Sequence, residues 1–181
     1  MDEREKLVEA LEDYSASADE VPFKKRFLEL LKHPDAFERT HLPGHITGSA
    51  FIVSDDSMQT LLVHHAKLNR WLQPGGHADG DVNVARVAMR EANEETGLEH
   101  LKLSSDQIFD IDIHPIPARK DLPGHDHYDI RYLVTGSMDE KIIVSEESHD
   151  VKWVPLSNLE EYTQEKSVLR MKDKLLHRSD S

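Results

Sequence analysis

The sequence contains no cysteine among its 181 residues. This absence excludes disulfide bonds, zinc sites built on thiolates, and enzymes that use a cysteine nucleophile. A chain of this length is sufficient for one domain with a sizeable core and an additional segment.

Basic residues are also scarce, with 22 Lys and Arg against 35 Asp and Glu, which gives a net charge of −13. No basic stripe with interleaved aromatic residues is present, so a nucleic-acid-binding surface is not expected. No apolar run approaches the length of a membrane span, and the N-terminal segment MDEREKLVEALEDY is too charged for a signal peptide. These features predict a soluble cytoplasmic protein with no nucleic-acid partner and no membrane partner.

The hydrophobic pattern predicts a mixture of helices and strands. Residues 4–33 have the periodicity of two helices, and residues 46–53 and 60–65 have the composition of two strands. Apolar and polar residues then alternate along Phe109–His114 and His127–Val134, as in half-buried strands. Later elements are a short strand at Val151–Pro155 and an amphipathic helix with Val168, Leu169, Leu175 and Leu176 on its apolar face.

This order of elements predicts an α/β fold with a mixed β-sheet between helices. We expect residues 1–35 to form an N-terminal helical extension and residues 36–181 to form the main domain. Two packings of the extension are open. It packs either on the core of the same chain, which we favour, or on a partner subunit in a homodimer.

Residues 75–98, GGHADGDVNVARVAMREANEETGL, contain most of the information about function. In a helix, Glu91 and Glu95 share one face and Glu94 lies beside Glu91. Like charges at these spacings repel each other, so a cation held between them would explain why three glutamates lie side by side on the helix. Carboxylate oxygens at short range are typical ligands of Mg²⁺ and Mn²⁺. The alternative is a solvated helix face with no ligand.

The same segment resembles the Nudix box, G-x5-E-x7-R-E-U-x-E-E-x-G-U, in which U is a bulky aliphatic residue. The matching residues are Gly76, Arg90, Glu91, Glu94, Glu95, Gly97 and Leu98. Ala92 is a small substitute for the usual aliphatic residue, and Val82 replaces the first Glu. The resemblance implies the α/β/α sandwich of Nudix proteins.

The resemblance also implies a metal site for Mg²⁺ or Mn²⁺ in which Glu91 and Glu95 are ligands. Glu94 is implied as a further ligand or as the residue that orients a metal-bound water, and the carbonyl of Gly75 as an additional ligand. Arg90 is implied to pair with the carboxylates and to hold their orientation.

The departure at Val82 is expected to weaken metal binding without removing the three glutamates of the helix. Asp79 and Asp81 are close enough in sequence to compensate for the missing Glu. Asp81 is, however, better placed to cap the helix, which we expect to begin near Val82 or Asn83.

Family members often use a glutamate as general base, on a loop ahead of a strand that contains Trp. Here Glu146 and Glu147 precede Trp153, so either of them is the implied base. His149 is a weaker candidate. The alternative for this loop is a plain solvated segment.

Seven residues near the segment or on the following strands are candidates for substrate binding: Arg70, Trp71, His77, Arg119, His127, Asp129 and Arg131. His127, Asp129 and Arg131 alternate along one predicted strand, so their side chains share a face that is either a pocket wall or a buried polar network. Arg119 and Arg131 could contact a phosphate. Trp71 could stack on a base or belong to the core.

These observations predict a metal-dependent hydrolase that cleaves the pyrophosphate bond of a nucleoside diphosphate linked to another group. ADP-ribose, nucleotide sugars and nucleoside triphosphates are the expected substrate class, and this small-molecule diphosphate is the expected partner. A second hypothesis is a catalytically weakened Nudix-fold protein that binds a nucleotide-type ligand in a regulatory role. A third is an unrelated protein with an acidic helix.

Overall fold

The computed structural model describes residues 1–179, and no helix within this range is long and apolar enough to cross a membrane. The helices are α1 (Glu3–Asp13), α2 (Val21–Leu30), α3 (Val84–Thr96) and α4 (Lys166–Ser179), with a 3-10 helix at Leu156–Glu161. The strands are β1 (Gly44–Ser54), β2 (Gln59–His65), β3 (Arg70–Leu72), β4 (Gly75–His77), β5 (Lys102–Leu103), β6 (Asp110–Ile116), β7 (His125–Gly136) and β8 (Ser148–Pro155). The predicted helices and strands are therefore confirmed, with small shifts at their ends.

The contacts within the chain define two compact units. The first unit contains Met1–Ser49, Gly75–Ala88 and Asp106–Tyr132. The second unit contains Ala50–Pro74, Met89–Ser105 and the described residues 133–179. Three elements, β1, α3 and β7, run from one unit into the other.

In the first unit, α2 packs on the β6–β7 hairpin and α1 packs on α2. Asp2 and Glu5 form a capping box that fixes the start of α1, and a proline lies in the first turn of α2. Phe27 of α2 is fully buried and contacts the Tyr128 ring edge to face, with 5.4 Å between the ring centroids. The packing on the core that we favoured is therefore confirmed for α2.

The β6–β7 hairpin differs from the sequence prediction in its burial. We predicted half-buried strands, but Asp110, Asp112 and Arg131 are buried, as is Ile111 on the opposite face. The register places Asp110 opposite Arg131, which lets opposite charges meet across the strands. Charged side chains can occupy this buried face because they neutralise one another.

In the second unit, β2 pairs with both β3 and β8. Helix α4 buries Val168, Met171 and Leu175, which follow the spacing of one helix face. The predicted apolar stripe was wrong at Leu176, which is 46% exposed. Leu176 follows Leu175 directly and is therefore rotated by about 100° away from the buried face.

Gly97 at the end of α3 supports the first testable prediction. Its φ of 75° lies in the left-handed region, and an added Cβ would lie 2.6 Å from the Cβ of Ile143. The positive φ and the short distance to Ile143 both disfavour a side chain at position 97, so Gly97→Ala should lower the free energy of unfolding by about 1–3 kcal/mol. Urea denaturation would measure the loss.

Gly124→Ala is the matched control, because the nearest atom to an added Cβ there is 3.5 Å away, an ordinary contact. Equal losses of stability in the two variants would contradict the interpretation of Gly97.

Candidate active site

Helix α3 presents the acidic residues predicted from the sequence. Glu95 is 8% exposed, the side chain of Glu91 is 18% exposed, and Glu94 is exposed. The helix begins at Val84, and its cap is Asn83, whose Oδ1 accepts a hydrogen bond from the Arg86 N–H at 3.1 Å. The expectation that Asp81 caps the helix was wrong, because a cap must lie directly before the first helical residue to reach this N–H.

Glu91 lies at the centre of a group of charged side chains. The Arg90 guanidinium is 3.5 Å from a carboxylate oxygen of Glu91. Burial raises the pKa of Glu91, and the negative charges of Glu94 and Glu147 raise it further, against the opposing effect of Arg90. The charged form of Glu91 is therefore less favourable than that of a free glutamate, and a cation added to the group would offset the effect of Glu94 and Glu147. We call Glu91, Glu94 and Glu147 the carboxylate group.

Of the two candidates for the general base, Glu147 is the one whose charge acts on Glu91. Both Glu146 and Glu147 are exposed in the turn before β8. The turn is anchored to the end of β2, because the Glu147 carbonyl accepts a hydrogen bond from the Ala66 N–H at 3.1 Å. This backbone hydrogen bond fixes the main chain at Glu147, from which its side chain extends.

Gly75 lies in the first unit, where β4 pairs with β1. A Cβ at this position would lie 2.2 Å from Ser49 Oγ and 2.8 Å from the Gly48 carbonyl oxygen. Only glycine allows the two strands to come this close. The role of the Gly75 carbonyl as a metal ligand remains a prediction from the family resemblance.

The loop between β4 and α3 uses its two aspartates for ion pairs. Arg39 contacts both carboxylate oxygens of Asp79, at 2.8 and 2.6 Å. Arg86 contacts both oxygens of Asp81 in the same way, at 2.8 and 2.7 Å. These arginines already neutralise both carboxylates. The ion pairs therefore give no support to the hypothesis that Asp79 or Asp81 replaces the Glu missing at position 82.

The second unit contains a group of aromatic rings around Trp71. The half-buried Trp71 ring contacts the Tyr162 ring edge to face, with 5.5 Å between centroids, and the His64 ring at 5.0 Å. The ammonium of Lys152 lies 6.0 Å from the Trp71 ring and 5.8 Å from the Tyr162 ring. We call Trp71, Tyr162, His64 and Lys152 the aromatic patch. Its rings and its cation could receive a flat heterocycle and a neighbouring phosphate.

Asp129 and Arg131, two members of the predicted trio, contribute to a buried network, one of the two arrangements left open by the sequence. Arg131 Nε is 2.9 Å from Asp129, and its terminal nitrogens are 3.1 Å from Asp110 and 3.6 Å from Asp112. Burial alone would lower the pKa of Arg131, but the three aspartates outweigh it and raise the pKa. Arg131 is 2% exposed, so its guanidinium serves this network rather than a substrate phosphate.

Thr47 and Ser49 of β1 complete the network by donating hydrogen bonds to Asp129, at 2.9 and 2.7 Å. Two other predicted substrate contacts lie at the surface. Arg70 forms an ion pair with Glu165 at 2.6 Å, and Arg119 is exposed near the end of the β6–β7 hairpin.

The two remaining candidates, His77 and His127, lie in the first unit with 5.1 Å between their ring centroids. Sequence reasoning missed His45, which approaches both of them. It also missed Tyr162 and Lys152 of the aromatic patch. The total of 12 histidines was a signal for the first omission, but no local pattern linked the residues of either group.

Comparison with known proteins gives a family match over most of the chain. A family model described as the NUDIX domain matches residues 44–175. A probable DHNTP pyrophosphohydrolase from Lactococcus lactis subsp. cremoris (strain MG1363) is 29% identical over 91 residues, which are 49% of this chain and 52% of that protein. The chain thus spans about half the length of this curated relative.

Two solved structures are similar to this one. A NUDIX-family hydrolase from Clostridium perfringens has a TM-score of 0.57 and 25% identity, over 72% of this chain and 95% of that chain. A binary complex of the C. elegans Ap4A hydrolase has a TM-score of 0.60 and 16% identity, over 75% of this chain and 97% of that chain. These similarities confirm the predicted α/β fold with a mixed β-sheet and flanking helices.

Proposed function

The chain belongs to the Nudix family, and from this premise we propose that it is a metal-dependent pyrophosphohydrolase. The proposed substrates are nucleoside diphosphates linked to another group, such as ADP-ribose, nucleotide sugars or nucleoside triphosphates. The observation that carries the proposal is the carboxylate group, in which burial first, and then the charges of Glu94 and Glu147, raise the pKa of Glu91.

The donor set of α3 fits Mg²⁺ or Mn²⁺, because all its side-chain donors are carboxylate oxygens. A divalent cation would also offset the charges of Glu94 and Glu147, which raise the pKa of Glu91 in addition to burial. We propose Glu91, Glu94 and Glu95 as the residues that hold the metal. When bound, such an ion neutralises phosphate oxygens and increases the acidity of water.

The protein's own residues would then have distinct roles. Arg90 contacts the Glu91 carboxylate at 3.5 Å, and this contact restricts the rotation of the Glu91 side chain. Glu147 is proposed as the general base that takes a proton from the attacking water, since it is exposed and its charge reaches Glu91. Glu146 is the second candidate for this role.

The aromatic patch supports a substrate that has a flat heterocycle beside a phosphate chain. Two of its members lie on the strands next to the base candidate, since His64 of β2 pairs with Asp150 of β8, Lys152 lies on β8, and Glu147 directly precedes that strand. The names of the relatives, DHNTP pyrophosphohydrolase and Ap4A hydrolase, make both compounds useful members of a substrate panel.

A metal-supplemented screen tests the proposal. The purified protein would be incubated with ADP-ribose, nucleotide sugars, nucleoside triphosphates, DHNTP and Ap4A, with Mg²⁺, Mn²⁺ or EDTA. We expect cleavage at a phosphoanhydride bond with either metal and none with EDTA, with products identified by mass spectrometry. Cleavage that continues unchanged in EDTA would contradict the metal-dependent mechanism.

The alternative function, binding without efficient turnover, is favoured by one observation. Val82 stands where the family pattern has a glutamate. Under this alternative, a panel compound would raise the melting temperature of the protein while no product forms with either metal. Turnover of the same compound would exclude this alternative.

Replacement of Trp71 tests the proposed position of the heterocycle. Loss of base stacking typically costs about 1–3 kcal/mol, so Trp71→Ala should raise KM by roughly 5- to 150-fold with little change in kcat. Trp71→Phe keeps an aromatic face and should recover most of the loss. Steady-state kinetics on the best panel substrate would measure both variants, and an unchanged KM in Trp71→Ala would contradict the assignment.

We also propose that residues 1–35 are an extension of the Nudix domain, as expected from the sequence. The family match begins at residue 44, after both α1 and α2. The extension is nevertheless part of the folded first unit, since Leu11 and Phe27 are fully buried.

A further inference from the structure

Five histidines come together in the first unit. His127 of β7 is the centre of the group, and its ring centroid lies 5.0–5.6 Å from the ring centroids of the other four. We call this group the histidine cluster: His45, His77, His114, His125 and His127. Its members come from four strands, β1, β4, β6 and β7. The proposed hydrolase mechanism uses none of them.

Three members of the histidine cluster can share one ion. A ring nitrogen from each of His45, His77 and His127 lies within 4.8 Å of the corresponding nitrogens of the other two. Two imidazole nitrogens that bind one zinc at about 2.1 Å can be separated by up to about 4 Å. Small rotations of the side chains are therefore sufficient to bring the three nitrogens to one ion.

The hydrogen bonds of His45 direct one ring nitrogen into the cluster. Its Nδ1 is 3.2 Å from the His41 carbonyl oxygen, which can only accept, so Nδ1 carries the hydrogen. In the neutral ring, Nε2 then has a free lone pair. This atom is buried and has no hydrogen-bond partner among the described residues, and the same is true of His127 Nε2. A carbonyl that fixes the tautomer of an imidazole is a usual feature of metal-binding histidines.

The electrostatics also favour neutral, ligand-competent rings. Burial is the main cause that lowers the pKa of His45, and it lowers the pKa of His77 to about 4 and that of His127 to about 2. The neighbouring histidines add to these effects. Neutral imidazoles are the form that binds a metal without first releasing a proton.

From this geometry we propose that His45, His77 and His127 bind a divalent transition-metal ion of the zinc type. Imidazole nitrogens favour zinc, cobalt, nickel and copper over Mg²⁺, which prefers oxygen ligands. Three histidines with a fourth position open to another ligand are a known zinc arrangement. The ion would join β1, β4 and β7, and its binding should stabilise the folded protein.

Metal titration of the full-length protein tests this site. After EDTA treatment and removal of EDTA, Co²⁺ should produce visible ligand-field absorption that saturates at about one equivalent, and Zn²⁺ should displace it. His45→Ala and His77→Ala should each weaken binding by more than the roughly 10- to 100-fold that loss of an outer contact causes. The exposed His100 supplies the matched control, and His100→Ala should bind like the wild type.

Two further measurements separate this proposal from the proposed function and from misfolding. Glu91→Gln with Glu94→Gln should keep the Co²⁺ spectrum, because imidazoles provide the ligands. Long-range ¹⁵N NMR of the unmodified protein should show zinc-dependent shifts of three imidazole Nε2 or Nδ1 signals. Absence of Co²⁺ absorption and of these shifts would overturn the proposal, as would a spectrum that disappears only in the glutamate variant.

Discussion

Glu91→Gln is expected to reduce kcat by about 1,000-fold, the scale of loss typical for removal of one charged group that acts in the transition state. The amide keeps the size and shape of the carboxylate but removes the negative charge that would hold Mg²⁺ or Mn²⁺. Without metal, the same substitution should leave the protein at least as stable as the wild type. Activity and stability would thus change in opposite directions.

The stability part follows from the raised pKa of Glu91. An unfolded chain loses this proton at a lower pH than the folded protein does, so the folded state binds more protons between the two pKa values. Stability of the metal-free wild type therefore falls as the pH rises through the folded pKa, and the loss persists at higher pH. Glu91→Gln removes this dependence.

Thermal unfolding in EDTA and steady-state kinetics in Mg²⁺ or Mn²⁺ would measure the two effects. Glu99→Gln is the matched control, because Glu99 is exposed and lies just beyond α3. It should change neither quantity. A Glu91→Gln enzyme with wild-type kcat would contradict the role given to this carboxylate, and strong destabilisation in EDTA would contradict the electrostatic explanation.

Arg131→Met should destabilise the protein by about 3–5 kcal/mol, the cost of removing one partner of a buried ion pair. The substitution leaves Asp110, Asp112 and Asp129 buried without their shared cation. Folded proteins are stable by only about 5–15 kcal/mol, so a loss of this size should be evident as poor folding or a much lower urea midpoint.

Arg119→Met is the control at an exposed position of the β6–β7 hairpin and should cost less than about 1 kcal/mol. Equal stability of the two variants would contradict the network.

The carboxylates of α3 could be predicted because their arrangement is local. A helix with regular spacing brings Glu91 and Glu95 to one face whatever surrounds it, and the glycine at position 97 ends the helix. The cap was misplaced by two residues, at Asp81 instead of Asn83. Several residues at the start of this helix can cap it, and the choice depends on where the loop joins the helix.

The role of Arg131 was less predictable because it depends on pairing between strands. Alternation along β7 correctly placed Arg131 and Asp129 on one face, but their burial required the opposite strand with Asp110 and Asp112. A shift of one residue in this register would have moved every side chain to the other face.

The histidine cluster was the least predictable feature. His45 follows a turn, His77 lies on β4, and His127 lies on β7, so that long stretches of sequence separate them. Only the folded first unit brings their ring nitrogens within 4.8 Å of one another. The aromatic patch was difficult to predict for the same reason, since Trp71 and Tyr162 meet only after β2, β3 and β8 have paired.

The most direct test of the central claim is anomalous diffraction from crystals soaked in Mn²⁺. The claim is that the glutamates of α3 hold a divalent metal for cleavage of a phosphoanhydride. We predict an anomalous peak within about 2.0–2.3 Å of carboxylate oxygens of Glu91 and of Glu94 or Glu95, and its loss in Glu91→Gln crystals. Well-ordered glutamates with no manganese peak beside them, in crystals that remain catalytically active, would contradict the claim.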